Sequence, residues 1–408
     1  MNLRSLLKPF VEKESRMSRF NSVPYRYTDA DADYVREIVA SGKLHHGKGK
    51  EAIFLESEFA SYIRSSYAVS TNSGTSALVL ACNALGLGPG DEVIIPAYTF
   101  IATAQAVLQC GAIPVFADID DTHTISPRSI EKHITTRTKA IIVVHTFGNV
   151  CDMNAISSIA KKKNIHVIED CAQAAGATYY GVPVGAIGDI GCFSFNILKA
   201  IPVGQGGIIT TSEKTLYQRA IAYRNTGIVN NRGRIDVESY GSTLFLPEIE
   251  AALARRILRQ LEYLNGLRRK NVHYLLELLH PYVSYLQPYK VNQHALPSYS
   301  RMSFLFAIDR SKLSRDKFIK KVNVAGVPLR TFYPAPLYTY SIFVQKKNIL
   351  TGQEFPFTSR RSPQYVKLPY AERFSRAHVG LEISPYWDFD DIKRMSKEII
   401  RVIELAIK

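Results

Sequence analysis

The sequence contains no long apolar run. Its apolar stretches, such as residues 140–144, are short and bounded by polar residues. A helix that crosses a membrane needs about 20 consecutive apolar residues, so we expect no membrane span. Hydrophobic residues still make up 46% of the chain, and the mean hydropathy is close to zero. These values are typical of a globular protein with a sizeable core.

Cysteine is scarce as well. The five cysteines are odd in number and form no Cys-x-x-Cys pair, a pattern that favours reduced, packed thiols over disulfides or a metal site. No signal-peptide pattern is recognisable at the start of the sequence. We therefore expect a cytoplasmic protein without a metal centre.

Acidic residues are too few to balance the basic ones, and the formal net charge is +15. The sequence lacks zinc-finger spacing and an aromatic strand of the RNP type. Its densest basic runs, residues 161–163 and 268–270, carry only three charges each. We expect no nucleic-acid partner, because solubility and the attraction of a small anionic substrate explain the charge better.

The sequence contains no internal repeat. A chain of 408 residues is longer than one hydrophobic core usually supports, so we expect more than one domain. Between about residues 68 and 212, near-continuous apolar runs alternate with helical patterns, as is typical of parallel strands buried on both faces. The predicted strands include residues 92–95, 114–118, 140–145, 166–169, 192–195 and 207–211, and the predicted helices include residues 76–85 and 155–163. The pattern predicts an α/β domain with a mainly parallel sheet flanked by helices.

The pattern changes after Pro247, where one long helix is predicted for residues 248–279. The later predictions are a strand over residues 302–308, helices over residues 315–325 and 390–407, and loops over residues 287–300 and 333–370. We predict three parts: an N-terminal extension (residues 1–22), a large α/β domain (residues 23–270) and a small C-terminal α+β domain (residues 271–408).

Polar groups stand where predicted strands end, and this edge of an open parallel sheet is where ligands bind. Gly74 and Thr75 begin a predicted helix within the stretch Ser-Gly-Thr-Ser. Glycine lets the backbone approach an anion, and the first amides of a helix attract it. The same stretch is also an ordinary N-cap, so both interpretations stay open.

Two charged residues, Asp170 and Lys199, follow apolar strands. A carboxylate at the position of Asp170 can hold a ring nitrogen protonated, or it can cap a following helix. A lysine in a water-poor site has a lowered pKa and can form a Schiff base. For Lys199 taken alone, an exposed lysine after a strand is the simpler explanation.

Ser194 and Phe100 are weaker candidates. Ser194 can add a hydroxyl to a bound phosphate, and Phe100 can either lie flat on a planar cofactor or pack in the core. The glycine-rich residues 86–91 suggest a dinucleotide fingerprint, but they follow a helix and precede a strand, the reverse of the required order. They predict only a helix stop and a turn.

In their order along the chain, these segments closely resemble the DegT/DnrJ/EryC1/StrS family of sugar aminotransferases, which have the fold-type-I architecture of pyridoxal-phosphate enzymes. The likeness runs from about residue 41 to residue 392. It is carried by residues 41–43, 72–78, 90–96, 138–141, 145, 167–173 and 193–199. Each segment alone is common, whereas the ordered set is specific.

The resemblance implies a role for each candidate. Lys199 would hold pyridoxal phosphate covalently and later shuttle a proton, and Asp170 would pair with the ring nitrogen. Gln173 would contact the phenolic oxygen or the face of the ring, and Phe100 would stack on it. The phosphate would be held by the amides of Gly74 and Thr75 and the hydroxyl of Ser194. The family's active sites lie between two subunits, so a homodimer with shared active sites is implied.

The sequence departs from the family pattern at three positions. Gln205 replaces an acidic residue after the lysine, and Thr243 and Phe245 replace an Asn and an Arg that many members supply from the partner subunit. Thr243 could still donate its hydroxyl to the phosphate. A branch that acts on dTDP-linked 4-keto-6-deoxysugars is similar in the Gly-Ser stretch at residues 241–242.

The resemblance therefore implies an aminotransferase that moves an amino group from glutamate or glutamine to a keto-sugar nucleotide, such as a dTDP-linked 4-keto-6-deoxysugar. One alternative is an aminotransferase for a cyclitol or another ketone. Another is a non-catalytic relative that binds cofactor or sugar as a regulator or scaffold. Some relatives are dehydratases with histidine in place of the lysine, and Lys199 argues against that branch.

Overall fold

The computed structural model of the chain describes residues 24–231, 233–347, 350–352 and 367–407. The N-terminal extension predicted for residues 1–22 lies outside the described residues. Part of the loop predicted for residues 333–370 does so too.

The chain first alternates helices and strands. The elements of this part are α1 (Asp29–Ala40), α2 (Glu51–Ile63), β1 (Tyr67–Thr71), α3 (Gly74–Ala84), β2 (Glu92–Pro96), α4 (Ala102–Gln109), β3 (Ile113–Ala117), α5 (Pro127–His133), β4 (Thr138–Val144), α6 (Met153–Lys163), β5 (His166–Asp170), β6 (Thr178–Tyr179), β7 (Val182–Pro183), β8 (Ile190–Ser194), β9 (Gly207–Thr211) and α7 (Lys214–Arg224).

The remaining elements are more varied. They are β10 (Ile228–Asn231), β11 (Arg234–Val237), α8 (Glu248–Leu258), α9 (Leu261–Leu279), β12 (Leu286–Pro288), β13 (Ala295–Leu296), β14 (Arg301–Phe306), α10 (Arg315–Val324), α11 (Ser341–Val344), α12 (Pro369–Ala377), β15 (His378–Glu382) and α13 (Phe389–Ile407). Among the described residues, none of these helices is long and apolar enough to cross a membrane.

The main sheet has seven strands in the order β1-β9-β8-β5-β4-β2-β3. Strands β3, β2, β4, β5 and β8 pair in parallel, and β9 runs antiparallel to both of its neighbours. The predicted α/β fold with a mainly parallel sheet is confirmed.

Both faces of this sheet are buried, as its near-continuous apolar strands predict. Because side chains alternate along a strand, neighbours point to opposite faces. Ile94 and Ile141 belong to one buried cluster, and Ile95 and Ile142 belong to the other. Helices cover the two faces, and the carboxyl edge of the sheet stays available for a site.

The long helix predicted for residues 248–279 is wrong, because the chain forms α8 and α9 with a break at Arg259 and Gln260. Neither proline nor glycine marks the break. Helix α8 packs against α1 and α2, whereas α9 packs against α13. Each of the two helices packs against different partner helices, and the hydrophobic periodicity of the sequence alone does not reveal these partners.

The C-terminal part contains a small antiparallel sheet in the order β12-β14-β15. Helix α9 runs through the domain boundary predicted at residues 270 and 271, and the division into two domains stays a prediction. The loop predicted for residues 287–300 holds the two-residue strand β13, which pairs with β6.

Candidate active site

A cavity of about 460 Å³ opens at the carboxyl edge of the main sheet. It brings together seven of the eight residues that the sequence predicts as a site, and it adds others from the C-terminal part. The lining residues are Gly74, Thr75, Leu78, Phe100, Ala102, Asp170, Ala172, Gln173, Ser194, Asn196, Leu198, Lys199, Gln205, Arg301, Arg330, Thr331, Phe332 and Tyr333.

The N-terminus of α3 forms one wall of this cavity. Ser73 caps the helix, and its hydroxyl accepts a hydrogen bond from the Ser76 amide at 3.0 Å. The first amides of a helix have no partner within the helix, so those of Gly74 and Thr75 are available to an anion. The capping and anion-binding interpretations are therefore compatible, because Ser73 caps the helix while the amides of Gly74 and Thr75 stay available to an anion.

Gly74 allows Ser194 to approach this helix end closely. A Cβ atom at position 74 would lie 2.6 Å from Ser194 Cβ and 2.9 Å from its hydroxyl oxygen. The glycine therefore places two backbone amides and one hydroxyl around the same point. This arrangement suits a phosphate group.

Replacing Gly74 with alanine should weaken binding of the pyridoxal phosphate that the family resemblance implies, because the added methyl group pushes Ser194 away. Overpacking of this kind costs about 1–3 kcal/mol, so we expect a dissociation constant for pyridoxal phosphate about 5- to 150-fold higher in a fluorescence titration. Gly266→Ala is the matched control, since a Cβ atom there meets nothing within 4 Å. Equal cofactor affinities of Gly74→Ala and the wild type would contradict the phosphate site.

Asp170 ends β5 and is buried. One of its carboxylate oxygens accepts a hydrogen bond from the Thr103 hydroxyl, and the other accepts one from the Ala172 amide, each at 3.1 Å. Burial raises the pKa of Asp170, while these two donors and the Lys199 ammonium oppose the rise. The helix-cap interpretation is excluded, because residues 171–177 form turns rather than a helix.

Glu169 points away from the cavity and fixes the end of β5. Its carboxylate accepts a hydrogen bond from His145 Nε2 at 3.0 Å and further bonds from the amides of Gly185, Ile187 and Gly188. Ligand-type atoms of His145, Glu169 and Cys171 lie within 4.8 Å of one another. These hydrogen bonds indicate that the cluster has a structural role and supports Asp170.

Lys199 lies in the turn after β8 and lines the cavity. Burial lowers its pKa from 10.5 to about 7, and the positive charge of Arg301 acts in the same direction. The negative charges of Asp170 and Glu382 partly oppose this shift. Lys199 is only partly exposed, so the simpler explanation as an exposed surface lysine is excluded. The lowered pKa leaves a large fraction of the amine neutral near pH 7.

Gln173 and Phe100 also line the cavity. The side chain of Gln173 accepts a hydrogen bond from the Phe147 amide at 3.0 Å and donates one to the Tyr333 hydroxyl at 3.1 Å. The ring of Phe100 is 54% exposed, whereas Tyr98 is fully buried. Of these two aromatic residues, Tyr98 packs in the core and Phe100 faces the cavity.

Thr243 is not brought to the cavity within one chain. It is exposed and forms an isolated bridge with Asn225. Phe245 stacks on His46, with ring centroids 4.9 Å apart. Since the resemblance assigns this stretch to the partner subunit, the phosphate contact of Thr243 stays a prediction.

The C-terminal part supplies cavity residues that the sequence did not predict. Those with a charged or aromatic side chain are Arg301, Arg330, Phe332 and Tyr333. Arg301 stands at the start of β14, and the rest of this strand is apolar except for Ser303. In the sequence, the signal for Arg301 was a charged residue at the end of a predicted apolar strand. No comparable signal marks the other three.

Comparison with known proteins places the chain among aminotransferases. The sequence model of the DegT/DnrJ/EryC1/StrS aminotransferase family matches residues 26–381. The aminotransferase of Psychrobacter cryohalolentis, a solved structure, superposes with a TM-score of 0.86 at 30% identity. The match covers 95% of this chain and 100% of that one.

Two curated relatives differ in the acceptor that their names give. The UDP-N-acetyl-3-dehydro-alpha-D-glucosamine 3-aminotransferase of Acidithiobacillus ferrooxidans is 38% identical over 358 residues, which are 87% of this chain and 89% of the relative. The L-glutamine:2-deoxy-scyllo-inosose aminotransferase of Streptoalloteichus tenebrarius is 32% identical over 369 residues, with 84% of each chain covered.

Proposed function

The chain belongs to the DegT/DnrJ/EryC1/StrS family of pyridoxal-phosphate-dependent aminotransferases, and we propose that it transfers an amino group from glutamate or glutamine to the ketone of a nucleotide-linked sugar. The observation that carries this proposal is the enclosed Lys199, with its pKa near 7, in one cavity with the buried Asp170 and the N-terminus of α3.

The cavity residues fit pyridoxal phosphate. The amides of Gly74 and Thr75 and the Ser194 hydroxyl would hold the phosphate, as the close approach at Gly74 supports. Asp170 would pair with the protonated ring nitrogen and Lys199 would hold the carbonyl carbon.

The two faces of the cofactor ring would be covered by Gln173 and Phe100. Both polar ends of the Gln173 amide already bond to protein, which favours contact through its flat side over a hydrogen bond to the phenolic oxygen. The exposed ring of Phe100 would cover the other face.

When bound, pyridoxal phosphate supplies an electron sink at the substrate carbon and carries the amino group between the two half-reactions. The neutral amine of Lys199 would hold the cofactor covalently, and during each half-reaction it would move the proton as general base and acid. Asp170 would place its carboxylate opposite the ring nitrogen, and in its charged form it would favour the protonated ring. Thr103 and Ala172 hold the Asp170 carboxylate in orientation.

A nucleotide-linked sugar is favoured as acceptor over a cyclitol. The net charge of +15 suits a substrate with a diphosphate, and the relative named for a UDP-sugar is the more similar of the two described above. The narrower acceptor, a dTDP-linked 4-keto-6-deoxysugar, rests only on the stretch at residues 241–242. A cyclitol stays the second candidate because of the relative from Streptoalloteichus tenebrarius.

We also propose a homodimer with shared active sites. Three apolar side chains around the cavity are about half exposed, namely Phe100, Ile197 and Leu198. A partner subunit would cover them and would bring Thr243 to the phosphate.

The five cysteines are free and buried, which supports the expected cytoplasmic location.

The substrate assignment is tested by isotope transfer. The loaded protein is incubated with ¹⁵N-labelled glutamate or glutamine and, in turn, with UDP-, dTDP- and GDP-linked keto-sugars and a keto-cyclitol. We expect mass spectrometry to find the label in a nucleotide-linked amino sugar. Label only in the cyclitol would support the second candidate, and no label in any product would support the non-catalytic alternative.

The pKa of Lys199 predicts how cofactor capture depends on pH. Because only the neutral amine attacks, the rate at which the cofactor-free protein captures pyridoxal phosphate should fall about tenfold per pH unit below the pKa and level off above it. Stopped-flow absorbance should give a midpoint of about 7. Arg301→Gln should move the midpoint upward, since this charge lowers the pKa. A wild-type midpoint near the ordinary 10.5 would contradict the enclosed amine.

A further inference from the structure

Three charged side chains of the C-terminal part lie together beside the cavity. Arg301 on β14 lies directly opposite Glu382 on β15 in the strand register, and its guanidinium is 3.3 Å from the carboxylate. Arg330 joins the same strand through backbone hydrogen bonds with Gly380, and it too pairs with Glu382. We call these three residues the charge triad.

Phe332 holds the two guanidinium groups of the triad. Arg301 lies 4.6 Å from its ring centroid and Arg330 lies 5.6 Å from it, so both contacts are within cation–π range. The ring can occupy this place because residue 380 is glycine, where a Cβ atom would lie 2.2 Å from the ring. The ring of Phe332 therefore holds both arginines beside β15.

The charges of the triad do not balance. Two guanidinium groups share one carboxylate, so the triad carries one net positive charge at the cavity wall. The side chain of Arg330 is 39% exposed, whereas that of Arg301 is 10% exposed. Guanidinium groups bind carboxylates through two parallel hydrogen bonds. Arg330 is thus the member that can reach an incoming anion.

The triad lies close to the reacting nitrogen. Glu382 and Lys199 line a second, smaller cavity together, and Arg301 and Lys199 line the main one. In an amino acid, the α-carboxylate is attached to the carbon that bears the amino group. In a nucleotide sugar, ring atoms separate the diphosphate from the ketone. An anion site beside Lys199 therefore fits the amino acid better.

We propose that Arg330 binds the α-carboxylate of the amino donor and that the Glu382 carboxylate pairs with the Arg330 guanidinium until the donor binds. The proposal rests on the proposed function and adds a specificity residue for the first half-reaction. Glutamate and glutamine share this carboxylate, so the triad would serve either donor.

Arg330→Gln, Arg330→Lys and Glu382→Gln test this proposal, and Arg401→Gln on the terminal helix is the matched control, because Arg401 forms an exposed ion pair with Glu398. Two quantities are measured: binding of glutarate or UDP by calorimetry, and the glutamate concentration that half-saturates loss of the visible band of the loaded enzyme. Glutarate carries the donor's carboxylates without its amine, and UDP carries the acceptor's diphosphate.

We expect Arg330→Gln to raise the glutarate dissociation constant and the half-saturating glutamate concentration about 10- to 100-fold and to leave UDP binding unchanged. Arg330→Lys should rescue part of the loss, because it keeps the charge but not the paired hydrogen bonds. Glu382→Gln should tighten glutarate binding, since the competing carboxylate is gone. A merely structural triad would not give this opposite effect.

Weaker UDP binding with unchanged glutarate binding in Arg330→Gln would overturn the proposal in favour of a diphosphate site. Unchanged binding of both ligands would overturn it as well, and so would a glutarate affinity that Glu382→Gln lowers. Failure of the proposed function looks different: the wild-type band would then persist with every amino donor, whatever the glutarate affinities are.

Discussion

Lys199→Ala should abolish amino transfer while leaving the protein folded. The variant loses both the amine that attaches the cofactor and the group that moves the proton, and acid–base catalysis alone is worth about 10²- to 10⁴-fold. We therefore expect the glutamate half-reaction to slow by about 10⁴-fold or more. The visible absorption band of the lysine-bound cofactor should be missing after loading with pyridoxal phosphate.

The control for this loss is Lys162→Ala, which removes an exposed lysine from α6. It should keep the band and the rate of the wild type. Thermal unfolding of Lys199→Ala should show no loss of stability, because the removed ammonium is costly to enclose in the cavity. A variant that keeps the visible band would show that another lysine holds the cofactor.

Asp170→Asn should give the second-largest effect. The change keeps the shape of the side chain but removes the charge opposite the ring nitrogen. Breaking a buried ion pair costs about 3–5 kcal/mol, so we expect the half-reaction rate to fall about 10²- to 10⁴-fold. Stopped-flow measurements with glutamate, on protein saturated with cofactor, separate this effect from weaker cofactor binding.

Asp316→Asn is the matched control for Asp170→Asn, because Asp316 is an exposed aspartate at the start of α10. It should react as fast as the wild type. If Asp170→Asn reacts within about threefold of the wild-type rate, which corresponds to less than ~1 kcal/mol, Asp170 does not hold the ring nitrogen protonated.

Much of the fold follows from local sequence patterns. Strands β2, β4 and β5 each contain an apolar run, and their bounds lie within two residues of the predicted ones. Both faces of the sheet are buried, so a strand pattern without alternation is what the environment requires. The break between α8 and α9 has no local cause, because it depends on which helices pack against each half.

The residues of the site also fall into those that local sequence patterns indicate and those that they do not. Lys199, Asp170 and Gly74 could be selected as candidates because each follows a recognisable strand or begins a helix, and open parallel sheets gather such residues at one edge. Their individual roles came from the resemblance to the family, because the local patterns left other interpretations open. Arg330 and Phe332 lie in an extended segment that is held beside the cavity in part by backbone bonds to β15. Their place depends on pairing between distant segments, which no local spacing encodes.

Reduction of the loaded protein with borohydride, followed by peptide mapping, addresses the attachment of the cofactor most directly. Borohydride converts the bond between a lysine and pyridoxal phosphate into a stable one, so the modified peptide identifies the residue by mass. We expect one modification, on the peptide that contains Lys199. A modification on another lysine, or none with cofactor in excess, would contradict the assignment of Lys199.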